Sequence, residues 1–146
     1  PMPGATELLA TLHDHGLILG LISNAQFYTP KLFPALLGMN LSELGFTPNL
    51  CVFSYRHGIA KPDPALYEIL RKKLDHHHIE PGETLYIGND VLKDIDPAAR
   101  LGFHTALFAG DNRSLRLHPD RNGLRPPDAI LTKLNQVVKL LDSLAS

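Results

Sequence analysis

The stretch Tyr86-Ile87-Gly88-Asn89-Asp90-Val91-Leu92-Lys93-Asp94-Ile95 decides how the chain is read. It closes the apolar run Thr84 to Ile87, which has the length and composition of a buried strand. Gly88 lets the backbone turn tightly after that strand. Asn89, Asp90 and Asp94 then set side-chain oxygens at the start of the next helix, expected over Val91 to Leu101 and ended by Gly102. Oxygen-only donors of this kind suit Mg²⁺. Asp90 is equally suited to cap the helix and to favour its dipole, and capping and metal binding do not exclude each other.

The same alternation continues to both sides. Upstream, Gly4 to His15 reads as a helix with Leu8, Leu9 and Leu12 on one face and Gly16 as its stop. Leu17 to Ile22 is a continuous apolar run bounded by Gly16 and Ser23-Asn24, which predicts a fully buried strand. Thr29 to Leu37 reads as a helix that Pro34 kinks or breaks. Leu50 to Phe53 is a second strand. Pro64 to Leu74 is a helix, with Asp63 as N-cap and Pro64 at its first position. Downstream, Thr105 to Phe108 and Ala129 to Leu131 are further strands, Ala109 to Pro127 is one long solvated loop, and Lys133 to Leu144 is a terminal helix. Strands separated by helices predict an α/β fold, a Rossmann-like parallel sheet with helices on both faces. In such sheets ligands sit beyond the carboxyl ends of the strands.

Composition removes several alternatives. The 146 residues carry 14 Lys plus Arg against 15 Asp plus Glu, a net charge of −1, which argues against binding a nucleic-acid backbone. A single Cys excludes a disulfide framework and a Cys-rich zinc site. No apolar run approaches the length of a membrane span. Cys51, in Leu50-Cys51-Val52-Phe53, reads as a buried small hydrophobe, and a lone thiol fits a reducing cytoplasm.

Two other strand ends complement the Gly88 turn. Ser23 and Asn24 put a hydroxyl and an amide at the mouth of the first strand, where both can donate to an anionic oxygen, although such residues are also ordinary turn formers. Ala60-Lys61-Pro62-Asp63-Pro64 puts Lys61 just before a helix, held extended by Pro62. Lys61 there can neutralise a phosphate and a neighbouring carboxylate, or be a solvated surface residue. Other features carry less. His76-His77-His78 cannot converge on one ion from a helix end. Arg56 is placed to reach a substrate anion. Arg113, Arg116, Arg121 and Arg125, interleaved with Asp111, Asp120 and Asp128, read as solvated. Phe27, Tyr28 and Phe33 read as core or a subunit contact.

In this order the three strand ends resemble the motifs of the haloacid dehalogenase-like hydrolase superfamily. Ser23 matches its second motif, Lys61 within Lys61-Pro62-Asp63-Pro64 its third, and Gly88 to Asp94 its fourth. The opening Pro3-Gly4-Ala5-Thr6-Glu7-Leu8-Leu9 is similar to the segment leading into the second motif, and the resemblance is strongest from Pro3 to Phe108. It implies a hydrolase, above all a Mg²⁺-dependent phosphatase of a small phosphorylated molecule, working through an aspartyl intermediate. By that resemblance Ser23 and Lys61 are the catalytic residues. Ser23, Asn24 and Lys61 bind the phosphoryl group, and Asn89, Asp90 and Asp94 hold the metal. No nucleic acid and no membrane is implied.

The chain departs from the family pattern at two points. Asn89 stands where the family usually has Asp. The first motif, an Asp-x-Asp on a strand before Pro3, is not found. The one Asp-x-Asp, Asp94-Ile95-Asp96, falls in the helix after the third strand. The resemblance therefore implies an incomplete core domain over 1–146, without a cap and without its central strand, which would lie between the strands ending at Ser23 and Gly88. Those two strands are then not expected to pair with each other. The missing strand would come from further sequence, a second chain or a rearrangement, and these residues alone would show no turnover. A non-catalytic interaction or regulatory module on the same scaffold, or a metal-independent dehalogenase, are the alternatives.

Overall fold

The structure is a computed structural model that describes residues 4–24, 31–32, 34–35 and 38–145. It forms two compact units, Pro1–Ala60 and Lys61–Ser146. The strands form two parallel sheets, each contained in its own unit.

In the first unit, helix α1 spans Ala5–Asp14 and strand β1 spans Leu19–Ser23. Gly16, at φ +74°, turns the chain between them in a conformation that L side chains rarely adopt. Strand β2, Phe46–Phe53, runs parallel to β1 and pairs Leu21 with Cys51, Ile22 with Val52 and Ser23 with Phe53. The register shifts between Leu19 and Leu21, opposite the part of β2 that holds Pro48. That proline hides the first half of β2 from sequence reading, because it removes a ladder donor and signals a break. Gly20 lies so close to β2 that an added Cβ would stand 3.0 Å from the carbonyl oxygen of Leu50. Leu50, Cys51, Val52 and Phe53 are buried, with Leu21, Leu41 and Phe46 packed on Cys51 and Phe53. The expectation that Leu17 to Ile22 is fully buried is corrected: Leu17 and Ile18 are exposed, and only Ile22 of the run is buried. Leu17 and Ile18 precede β1, and among the described residues β1 itself has a ladder to β2 alone. A short helix α2, Ser54–His57, follows β2. Most of the predicted Thr29 to Leu37 helix, with Phe27, Tyr28 and Phe33, lies outside the described residues.

In the second unit, helix α3 runs Pro64–His76 and buries Leu66, Tyr67, Leu70 and Leu74. Asp63 caps it as expected, its carboxylate accepting the Ala65 N–H at 2.9 Å. The Lys61–Pro62 peptide bond is cis. Strands β3 (Leu85–Gly88), β4 (His104–Phe108) and β5 (Ala129–Leu131) form a parallel sheet in that order. Thr105, Ala106 and Leu107 of the middle strand are buried. Helix α4 is Asp96–Arg100 and helix α5 is Gln136–Ala145.

One expectation for this unit is corrected and another is extended. The segment after β3 is not one helix from Val91 to Leu101. Val91–Ile95 is a π-turn, and α4 begins only at Asp96. The Asp90 carbonyl accepts both the Asp94 N–H at 2.8 Å and the Ile95 N–H at 3.2 Å. Pro97 has no N–H to give the Lys93 carbonyl, and the Tyr67 hydroxyl of α3 donates to it instead. A π-turn is rare and marks functional sites more often than chance allows.

The long loop is solvated as expected, with Arg113, Arg116, Arg121 and Arg125 exposed, and it is also anchored to the unit. Arg116 bridges to Asp90 in parallel fashion, its N–H donating to the Asn89 carbonyl and its carbonyl accepting the Val91 N–H, each at 2.9 Å. Arg100 Nη2 donates to the Gly123 carbonyl at 2.9 Å, and the Arg125 N–H donates to Asp96 Oδ1 at 2.8 Å. Asp128 Oδ2 accepts the Thr105 N–H at 2.9 Å. Leu115 and Leu124 pack on the cluster of Val91, Ile95 and Leu107. The segment is a strap that starts at the carboxyl end of the sheet, where Arg116 meets Asp90, packs on Val91, Ile95 and Leu107, and returns to the amino ends of β4 and β5 at Asp128. Among the described residues no helix is long and apolar enough to cross a membrane.

Candidate functional site at the end of β3

Lys61, Asn89, Asp90 and Asp94 all belong to the second unit. The π-turn folds Asp94 back over the end of β3. An added Cβ on Gly88 would stand 2.3 Å from the Asp94 Cβ, so only glycine leaves room for that carboxylate. Asp94 Oδ2 accepts the N–H groups of Asn89 and Asp90, both at 3.2 Å. Its Oδ1 accepts from Lys61 Nζ and, at 3.5 Å, from the Tyr86 hydroxyl. The ion pair is screened from water, with side-chain exposures of 15% for Lys61 and 5% for Asp94. A carboxylate taken this far out of water is tolerable only with such a set of donors.

Two tyrosines back the pair. The rings of Tyr67 and Tyr86 lie 5.5 Å apart, with hydroxyls 3.4 Å apart. Burial pushes both phenols above their ordinary pKa, reinforced for Tyr67 by its neighbour Tyr86 and for Tyr86 by the charge of Asp94. Both therefore stay protonated, and Tyr86 can serve Asp94 as a donor.

Asp90 caps the turn, its Oδ1 accepting the Lys93 N–H at 2.9 Å. The same oxygen meets His118 Nε2 at 2.8 Å. Sequence reading missed His118. It lies 28 residues from Asp90 within the strap, and no local pattern announces it. Tyr67 and Tyr86 were missed because each reads as an ordinary core position.

The donor set suits a hard cation. The Asn89 amide and the Asp90 and Asp94 carboxylates offer oxygen only, which fits Mg²⁺ retaining several of its own waters. Among the described residues no three His, Cys, Asp or Glu side chains converge as a ready-made metal cage.

In the first unit, Ser23 is half-buried at the end of β1, paired in register with Phe53, and Asn24 follows it exposed. Arg56 lies over the Phe53 ring at 5.0 Å and its Nε donates to the Tyr55 hydroxyl at 3.1 Å, so it is held by aromatic neighbours. Cys51 is buried as expected, and His76, His77 and His78 are exposed where α3 ends.

A model of the haloacid dehalogenase-like hydrolases matches residues 1–102. The chain is 32% identical over 112 residues to the rhythmically expressed gene 2 protein of Drosophila melanogaster, covering 73% of this chain and 40% of that protein. It is 27% identical over 146 residues to the mouse (Mus musculus) haloacid dehalogenase-like hydrolase domain-containing protein 3, covering 98% of this chain and 52% of that one. The chain thus spans about half the length of the curated relatives it matches. Among solved structures it is similar to the magnesium-bound putative HAD-hydrolase YfnB of Bacillus subtilis, with TM-score 0.76, 18% identity and coverage of 97% and 56%. A HAD phosphatase of Thermococcus onnurineus gives 0.70, 21%, 96% and 57%. A 2-haloacid dehalogenase of Pseudomonas syringae gives 0.68, 22%, 97% and 53%. At these identities the structural likeness speaks for the fold.

Proposed function

This chain belongs to the haloacid dehalogenase-like hydrolase family, and on that premise we propose that it carries the phosphoryl- and metal-binding part of a Mg²⁺-dependent phosphatase site. The observation that carries the reading is the Lys61–Asp94 pair at the end of β3, tied to the backbone of Asn89 and Asp90. A cation beside a fixed carboxylate, where a parallel sheet places its ligands, is what transfer of an anionic group needs.

In this reading the Lys61 ammonium offsets the charge of the phosphoryl group and holds Asp94 in place. Ser23 and Asn24 donate to phosphoryl oxygens. Asn89, Asp90 and Asp94 hold Mg²⁺, which when bound supplies the positive charge that a phosphoryl transition state calls for. The nucleophilic carboxylate comes from polypeptide other than these 146 residues, because their one Asp-x-Asp begins with the Asp94 already committed to Lys61. The substrate is a small phosphorylated molecule.

The test is phosphate release from a generic phosphate ester with Mg²⁺, beside calorimetric binding of inorganic phosphate. The isolated chain is expected to bind phosphate with Mg²⁺ and to turn nothing over, and Lys61→Ala is expected to weaken that binding about tenfold or more. Robust release abolished by Lys61→Ala would show that the chain holds its own nucleophile. Phosphate binding indifferent to both a chelator and Lys61→Ala would remove the phosphatase reading, and halide release that survives the chelator would replace it with dehalogenase chemistry.

A further inference from the structure

We propose that His118 is a positioning residue for the site at the end of β3. Carried in on the strap, it fixes the Asp90 carboxylate, and through Asp90 the turn on which Asp94 and Lys61 meet. The proposal rests on the reading above only for its metal-binding consequence.

A carboxylate can only accept, so His118 Nε2, 2.8 Å from Asp90 Oδ1, carries the proton of that bond. Asp90 is joined to the turn at three further points. Its Oδ1 accepts the Lys93 N–H, its N–H donates to Asp94 Oδ2, and its carbonyl accepts the N–H groups of Asp94 and Ile95. Among the described residues, His118 is the side chain from outside the turn that grips this carboxylate. Asp90 is buried, so a carboxylate robbed of that donor is left short of partners or must swing toward water, taking the Asp90 N–H off Asp94.

His118 also holds a costly backbone conformation, φ +54°, which non-glycine residues rarely adopt. The Arg116 bridge two residues earlier delivers the ring to Asp90 in that conformation. The strap does not depend on His118 to stay in place. Arg100 to Gly123, Arg125 to Asp96, Asp128 to Thr105 and the packing of Leu115 and Leu124 hold it independently. Loss of the imidazole should therefore act at Asp90 and not across the unit. Partners of this outer kind orient the groups that touch a metal.

The test uses the intact 146-residue chain with His118→Asn and His118→Gln. Asparagine tolerates positive φ, yet its amide is too short to stand where Nε2 stands, whereas the glutamine amide reaches it. Amide hydrogen exchange reports Asn89 and Asp90 against Ala106 and Leu107 of β4, and calorimetry with MgCl₂ alone reports metal affinity. In His118→Asn, exchange at Asn89 and Asp90 should speed up about tenfold with β4 unchanged. Mg²⁺ affinity should fall about tenfold. His118→Gln should recover most of both. Unchanged protection at Asn89 and Asp90 overturns the proposal, as does a loss spread equally over β4, the mark of a merely structural role. If the parent chain binds no Mg²⁺, the metal reading fails, and the exchange comparison still decides the role of His118.

Discussion

β1 and β4 are both five-residue strands built on apolar runs, yet they live differently. β4 has β3 on one side and β5 on the other, and its three inner residues are buried. Among the described residues β1 has a ladder to β2 alone, and just one of its five residues is buried. Composition therefore says that a segment can be a strand, and the number of neighbours decides how much of it leaves water. Their surroundings differ in the same way. The second unit wires its polar groups through buried partners, whereas the first ends β1 on a half-buried serine and an exposed asparagine. Substitutions should accordingly be expensive in the second unit's site and sheet, and cheap along the exposed run that enters β1.

The largest effect is expected at the buried pair. Lys61→Ala leaves Asp94 charged, buried and short of its cation, which should cost about 3–5 kcal/mol. Urea unfolding followed by tyrosine fluorescence suits the test, because Tyr67 and Tyr86 stand beside the pair. Asp94→Asn in the Lys61→Met background should cost less than the two single changes added, by about 1 kcal/mol or more. Strict additivity would mean that the pair is solvated and that the second unit's site is no better wired than the end of β1.

Next comes the sheet itself. Leu107 is buried in β4 against Val91 and Ile95. Leu107→Ala should cost about 2–4 kcal/mol in the same unfolding measurement. A loss below about 1 kcal/mol would show that the site can collapse around the cavity, and would blur the contrast with β1.

How much of this was legible in the sequence follows from the range of the interactions. Asp63 as cap, Gly88 as turn and β5 at Ala129–Leu131 rest on neighbours in sequence, and all stand as read. The π-turn was not legible, because it depends on Tyr67, 26 residues from Lys93, filling the carbonyl that Pro97 cannot serve. That the strap is solvated was legible from its charged residues, and Arg113, Arg116, Arg121 and Arg125 are exposed as read. Its anchoring was not legible: Arg100 holds the Gly123 carbonyl, Asp96 the Arg125 N–H, and Asp128 accepts the Thr105 N–H, all from partners distant in sequence. His118 was invisible for the same reason. Leu17 and Ile18 are exposed because the strand begins only at Leu19, and a continuous apolar run does not mark that start.

A smaller effect is expected at Asp96, which ties the strap to α4. Burial works against its charge, but the hydrogen bonds from Arg100 and the Arg125 N–H prevail and hold its carboxyl below the ordinary range. A depressed folded pKa contributes stability above the unfolded pKa, and that contribution is lost as pH falls through the folded value. Asp96→Asn should therefore cost about 1 kcal/mol near neutral pH. The gap from the parent should close on acidification below the ordinary carboxylate range, seen as converging Tm values. A gap that persists in acid would trace the loss to the shape of the side chain and not to its charge.

The smallest effect should come from the run that enters β1. Ile18 is a large apolar residue with 52% of its surface in water, whereas Val52 in the partner strand has none. Ile18→Ala removes methyl groups that folding never took fully out of water, so it should cost no more than about 0.5 kcal/mol. Val52→Ala, in the same unit, should cost about 2 kcal/mol. The two changes share a denatured chain and a unit, so their ratio reports burial without the differences between the two halves of the molecule. If Ile18→Ala costs as much as Val52→Ala, then Ile18 is covered in solution, and the contrast between β1 and β4 would lie in which surface covers each strand and not in how many neighbours it has.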